Sequence, residues 1–136
     1  MLLNYCEINK ELTGTVNLPI SKSMCNRALI LAAISQNKIS IQKFSDANDS
    51  VVLECSLKSL EAIIDVEDAG TAMRFLTAYL AFQNQTVEII GSDRMLERPI
   101  GTLVNALNQI GASVSYTNRE GFPPLRIEPC KKDNLT

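Results

Sequence analysis

Pro19-Ile20-Ser21-Lys22-Ser23-Met24-Cys25-Asn26-Arg27, running on into Ala28-Leu29-Ile30-Leu31-Ala32-Ala33-Ile34, reads as the start and body of a helix. Ser21 or Ser23 can cap it, because a hydroxyl accepts from an orphan N–H of the first turn. The run from Ala28 to Ile34 is apolar on every side, and a helix apolar all round is a buried one. Lys22 and Arg27 sit in its opening turns. That is the unfavourable end for a cation, since the helix dipole is positive there. An anion reverses the sign of the effect: free N–H groups, a hydroxyl and two cations then all attract it. The stretch therefore reads as half of an anion site.

Outward from this helix, the chain alternates short strands and helices. Asn4–Ile8 and Thr15–Leu18 read as strands around a turn at Thr13-Gly14, and Ile39–Phe44 alternates like a third. Asp46-Ala47-Asn48-Asp49 reads as a turn and cap before a helix over Ser50–Leu60. A strand over Ile63–Val66 follows. Asp68-Ala69-Gly70-Thr71 then opens a helix over Ala72–Phe82, again apolar nearly all round. Val87–Ile90 is a strand. Pro99 suits a first helical position and starts a helix through Ile110, closed by Gly111. Ser113–Tyr116 and Leu125–Ile127 are late strands, and Lys131–Thr136 is a polar tail. Arg27 and Arg74 stand 47 residues apart, as do Leu29 and Leu76, and Gln36-Asn37 and Gln83-Asn84. The same order of elements accompanies both, so a duplicated supersecondary unit is expected. The fold class is α+β, with the helices from Ser21 and Thr71 inside and the strands outward.

The chain has 136 residues, 46% of them hydrophobic and 21% charged, with a net charge of −2. This is enough for one domain with a core. The lack of a basic excess argues against nucleic-acid or membrane-surface binding. No His is present, which removes the commonest acid–base group and metal ligand. Cys6, Cys25, Cys55 and Cys130 form no C-x-x-C pair and read as reduced thiols of a cytoplasmic protein. No signal peptide and no transmembrane run are expected.

Three helix starts carry cations: Lys22 and Arg27, then Arg74, then Arg94 and Arg98. Each has a small or hydroxylic neighbour, Ser23, Gly70 with Thr71, and Ser92. Gly70 lets a ligand approach the backbone closely, and Arg holds carboxylate or phosphate at two points. Brought together, these starts would form a pocket for a multiply anionic small molecule. The alternative for each Arg is local pairing, with Asp93 and Glu97 flanking Arg94 and Arg98, and Asp68 near Arg74. Asp46 and Asp49 read as helix caps rather than a catalytic pair. Ser21 and Ser23 lack a His for a triad, and Lys22-Ser23 is not preceded by a P-loop.

Leu18-Pro19-Ile20-Ser21-Lys22-Ser23 with Asn26-Arg27-Ala28-Leu29 resembles the L-P-G-S-K-S…N-R-A-L start of the 5-enolpyruvylshikimate-3-phosphate synthase family. Asp68-Ala69-Gly70-Thr71-Ala72-Met73-Arg74 resembles its N-A-G-T-A-M-R segment, and Arg94-Met95-Leu96-Glu97-Arg98-Pro99-Ile100-Gly101 its R-M-K-E-R-P-I-G segment. Pro123-Pro124-Leu125-Arg126 also fits. UDP-N-acetylglucosamine enolpyruvyl transferase shares the fold but lacks the Ser-Lys-Ser and N-R-A-L patterns.

The resemblance implies the enolpyruvyl transferase fold, built of βαβαββ repeats, with 1–136 forming a partial domain of about two repeats and 1–18 near the inter-domain hinge. It implies a transferase of the shikimate pathway of aromatic amino acid (chorismate) biosynthesis. That enzyme moves the enolpyruvyl group of phosphoenolpyruvate to the 5-hydroxyl of shikimate 3-phosphate and releases phosphate, with no metal or organic cofactor. Residue by residue, it implies that Lys22 touches both substrates, Ser23 and Arg27 hold shikimate 3-phosphate, and Arg94 binds phosphoenolpyruvate. Gly70 would lie against phosphoenolpyruvate, where glyphosate competes in the family, with Thr71, Arg74 and Arg98 in support. Ile20 replaces a Gly of the family pattern, Asp68 an Asn and Phe75 a Pro, and the Leu60–Asp68 link is short. The acid–base Asp and Glu of the family lie in segments this chain does not contain. The expectation is an inactive N-terminal fragment, and the alternative is a non-catalytic anion-binding module on the same fold.

Overall fold

Caps and core residues set the limits of the elements. The computed structural model describes residues 13–36 and 38–130. Helix α1 spans Lys22–Ile34, and its N-cap is Ser21, whose hydroxyl accepts from Met24 N at 3.4 Å. Helix α2 spans Asn48–Lys58, strand β1 Ile63–Asp65, helix α3 Gly70–Leu80 and strand β2 Val87–Ile90. A four-residue helix α4, Asp93–Leu96, follows, capped by the Ser92 hydroxyl. Helix α5 is Gly101–Gln109, and strands β3 and β4 are Ser113–Tyr116 and Leu125–Glu128.

The four strands form one sheet in the order β1-β2-β4-β3. β1 and β2 run parallel, joined through α3, while β4 is antiparallel to both β2 and β3. Leaving α4 aside, the order from Ile63 to Glu128 is therefore βαβαββ. This mixed sheet is two-faced, with one side packed and the other wet. Val87, Ile89, Leu125 and Ile127 point into the core, and Arg126 and Glu128 point out.

Helix α3 is the centre of the packing. It touches α1, α2 and α5 as well as β2 and β4. Met73, Leu76 and Leu80 are fully buried, and no residue of α3 is classed as exposed. The expectation of an all-round buried helix holds here and fails for α1. Helix α1 packs against α2 and α3 through Cys25, Asn26, Leu29 and Ala32. Its other side leaves Met24, Leu31 and Ile34 more than half exposed, at 71%, 57% and 64%. All-round apolarity marks a helix that can be buried, but a helix is covered only where a neighbour reaches it.

Two expected strands are absent. Thr15–Leu18 and Ile39–Phe44 are irregular, and nearly all their residues are exposed. An alternating run becomes a strand only by pairing, and neither run has a sheet partner among the described residues. The strand expected over Asn4–Ile8, the tail Lys131–Thr136 and the repeat position Asn37 lie outside the described residues. Pro99 does not open a helix either. Ile100 is the N-cap of α5, and the orphan N–H groups of Ile100 and Gly101 both donate to Gly121 O, at 2.9 and 3.2 Å. Gly121 adopts φ +86°, a left-handed conformation that glycine takes without penalty.

Candidate functional site

Three helix starts, from three separate parts of the chain, meet at one carboxylate. Asp49 lies in the first turn of α2. Its Oδ1 accepts from the backbone N–H of Thr71, in the first turn of α3, at 3.0 Å. Its Oδ2 faces Lys22 Nζ, in the first turn of α1, at 3.5 Å. The local reason is plain in α3. Ala69 holds the N-cap position and has no side-chain acceptor, so the orphan N–H of Thr71 takes a cap from a different helix. One residue further along α2, the Ser50 hydroxyl donates to Asn26 Oδ1 of α1 at 2.6 Å. Asn26 is fully buried, and this bond keeps the openings of α1 and α2 side by side. Partial burial works to raise the pKa of the Asp49 carboxyl. Hydrogen bonds from Thr71 and the charge of Lys22 outweigh it, and the net shift is downward.

Gly70 carries the next part. A Cβ on Gly70 would come within 2.7 Å of Arg98 Cζ, so the Arg98 guanidinium lies directly over the opening of α3. Arg74 holds that arrangement from below. Its Nη1 donates to Gly70 O at 3.0 Å, and its Nη2 donates to Pro99 O at 2.9 Å. Arg74 thus clamps the start of α3 to the segment that carries Arg98. The Ser92 hydroxyl donates to Asp68 Oδ1, which brings the start of α4, with Arg94, beside the chain entering α3. Gly91 makes that approach possible. A Cβ there would stand 2.8 Å from Glu67 O, and Ser92 N donates to the same carbonyl.

The expected site residues divide accordingly. Arg74 and Arg98 both contact Gly70, Lys22 joins Thr71 through Asp49, and Arg94 adjoins them through the Ser92–Asp68 bond. Ser23 and Arg27 are exposed on α1, and among the described residues their side chains make no hydrogen bond or ion pair to the other site residues. The local pairing that offered an alternative for the arginines does not occur. Among the described residues, Asp68, Asp93 and Glu97 form no ion pair with Arg74, Arg94 or Arg98. Asp49 is the residue the sequence reading missed. Its role as a local cap is corrected: α2 begins from Ala47 without a side-chain cap bond, and the Asp49 carboxylate serves α3 instead. The signal available in sequence was Ala69, a residue unable to cap, ahead of Gly70-Thr71.

Chemically, the junction offers a Lys ammonium, unpaired Arg guanidinium groups and a glycine opening, all at helix N-termini whose dipoles favour negative charge. It is suited to holding a small molecule with more than one anionic group. It presents no His, and its central carboxylate, Asp49, is engaged by Thr71 N and Lys22.

The family model for EPSP synthase (3-phosphoshikimate 1-carboxyvinyltransferase) matches residues 6–68 and 46–135. This chain belongs to the EPSP synthase family. The 3-phosphoshikimate 1-carboxyvinyltransferase of Bacteroides fragilis is 48% identical over 118 residues, covering 87% of this chain and 29% of the relative. Those of Cellvibrio japonicus and Cupriavidus taiwanensis are 41% and 39% identical over 140 residues, covering 85–86% of this chain and 32–33% of theirs. The chain therefore spans about a third of the length of these EPSP synthases. An EPSP synthase structure from Acinetobacter baumannii superposes with a TM-score of 0.72 at 18% identity, covering 85% of this chain and 32% of that one. That likeness speaks to the fold. No helix among the described residues is long and apolar enough to cross a membrane.

Proposed function

We propose that this chain is part of a cytoplasmic enzyme that transfers the enolpyruvyl group of phosphoenolpyruvate to the 5-hydroxyl of shikimate 3-phosphate, releasing phosphate. The observation that carries the reading is the convergence of Lys22, Gly70 and Arg98 on one junction of helix starts. Each substrate has a carboxylate and a phosphate, which is the chemistry such a junction attracts. In this reading Lys22 contacts both substrates, Ser23 and Arg27 hold shikimate 3-phosphate, and Gly70 and Arg94 face phosphoenolpyruvate. Thr71, Arg74 and Arg98 shape the floor. The chain forms about two repeats of one domain. It binds and orients anions but contributes no proton-transfer group, so on its own it is inactive.

The test is binding rather than turnover. Shikimate 3-phosphate should raise the melting temperature of this chain by mass action. Lys22→Ala and Arg27→Ala should each remove most of that rise. Lys58→Ala, on an exposed residue paired with Glu54 on the same helix, should leave it unchanged. Equal loss at all three positions would mean unspecific charge attraction and would remove the site. Phosphate release from the two substrates by this chain alone would remove the inactivity.

A further inference from the structure

We infer that Asp49 is a positioning residue of the anion site: one oxygen carries the first turn of α3, the other steers the Lys22 ammonium, and an anion arriving at Lys22 competes with this internal carboxylate. The two oxygens are not equivalent. The Oδ1 contact to Thr71 N is a normal hydrogen bond of 3.0 Å, from a donor that has no cap of its own. The Oδ2 contact to Lys22 is 3.5 Å long, and the Lys22 side chain is 46% exposed. The first bond is therefore structural and the second exchangeable. The placement is also enforced from outside the pair, because the buried Ser50–Asn26 bond fixes the starts of α1 and α2 against each other. The electrostatics give the arrangement a purpose. Where helix N-termini and a cation meet, the positive potential is relieved by a negative group, and Asp49 supplies it from within the chain. The carboxylate keeps Lys22 pointed at the α3 opening. It also repels an incoming anion, so it raises the threshold for weak anions and favours ligands with several charges.

The ligand part of this inference rests on the anion-site reading above, and the helix part does not. The experiment uses the 136-residue chain, with inorganic phosphate as probe. Asp49→Asn keeps an oxygen that accepts from Thr71 N and removes the charge, whereas Asp49→Ala removes both. Calorimetry should find phosphate bound about 3-fold or more tightly by Asp49→Asn than by the parent. That gain should vanish when Lys22→Ala is added. In the absence of phosphate, amide exchange at Thr71 should be about 5-fold faster in Asp49→Ala and nearly unchanged in Asp49→Asn. Equal phosphate affinity in the parent and Asp49→Asn overturns the inference and leaves the site standing. Unchanged Thr71 exchange in Asp49→Ala overturns it too. If no variant binds phosphate, the anion-site reading falls. The Lys22–Asp49 coupling is then read from the unfolding midpoints of the parent, the two single variants and the double variant. Additivity in that cycle overturns the inference, and coupling sustains it.

Discussion

Replacing Arg74 separates a clamp from a ligand contact. In Arg74→Ala, two bonds from a cation to backbone carbonyls disappear, one to Gly70 O and one to Pro99 O. A hydrogen bond to a charged group contributes about 1.5–3 kcal/mol when sheltered, and much less in open water. The Gly70 bond is partly buried and the Pro99 bond is exposed, so the pair together should contribute about 2 kcal/mol. With a urea slope of about 1.5–2 kcal/mol/M for a domain of this size, the midpoint should fall by about 1 M. Arg74→Lys keeps the charge but cannot fork to both carbonyls, and should lose about half as much. The measurement is equilibrium urea unfolding followed by circular dichroism, checked for an unchanged slope. A midpoint shift under about 0.3 M for Arg74→Ala, together with lost anion binding, would refute the clamp and make Arg74 a direct ligand.

Gly91→Ala should destabilise by about 1–3 kcal/mol, because its new methyl meets the Glu67 carbonyl and the Met95 side chain rather than a movable chain end; thermal unfolding checks this. Gly70→Ala should barely change stability, since the far end of Arg98 can swing aside, yet it should weaken phosphate binding in calorimetry by moving that guanidinium. Asp49 should tie stability to acid. Its folded pKa is lowered, so its contribution is complete above the unfolded value of about 3.9 and fades as pH falls through the lower folded value. Asp49→Asn should flatten that part of the stability profile below about pH 4. A profile as steep as the parent's would place the acid sensitivity elsewhere.

Much of the fold could be read from residues that act locally. Ser21 caps α1, and β2 and β3 lie where alternation places them, at Val87–Ile90 and Ser113–Tyr116. The failures share a cause. Ile39–Phe44 has the pattern of a strand but pairs with no strand among the described residues. Helix α1 has the composition of a core helix, but among the described elements it packs only against α2 and α3. Helix α4 is a single turn, too short for any period to show. In the site, the cation-bearing helix starts were legible because each motif is contiguous. Asp49 was not, since its carboxylate serves a helix that begins more than twenty residues later, and nothing next to it reveals that target.

The placement of the helix starts also orders events during folding. β3 and β4 are successive, antiparallel strands joined by a single connection over 117–124, and such near-neighbour contacts carry a low closure cost. The junction at Asp49 has no local part. It joins residues 27 and 22 positions away in sequence, so it must wait until three helices have docked. Its bonds should therefore form on the late side of the folding barrier, so that substitutions at Asp49 should mainly speed unfolding, which chevron kinetics of Asp49→Ala would check. A molecule that bridges those helix starts should therefore act chiefly as a brake on unfolding, lengthening the lifetime of the folded chain while leaving its rate of formation almost untouched.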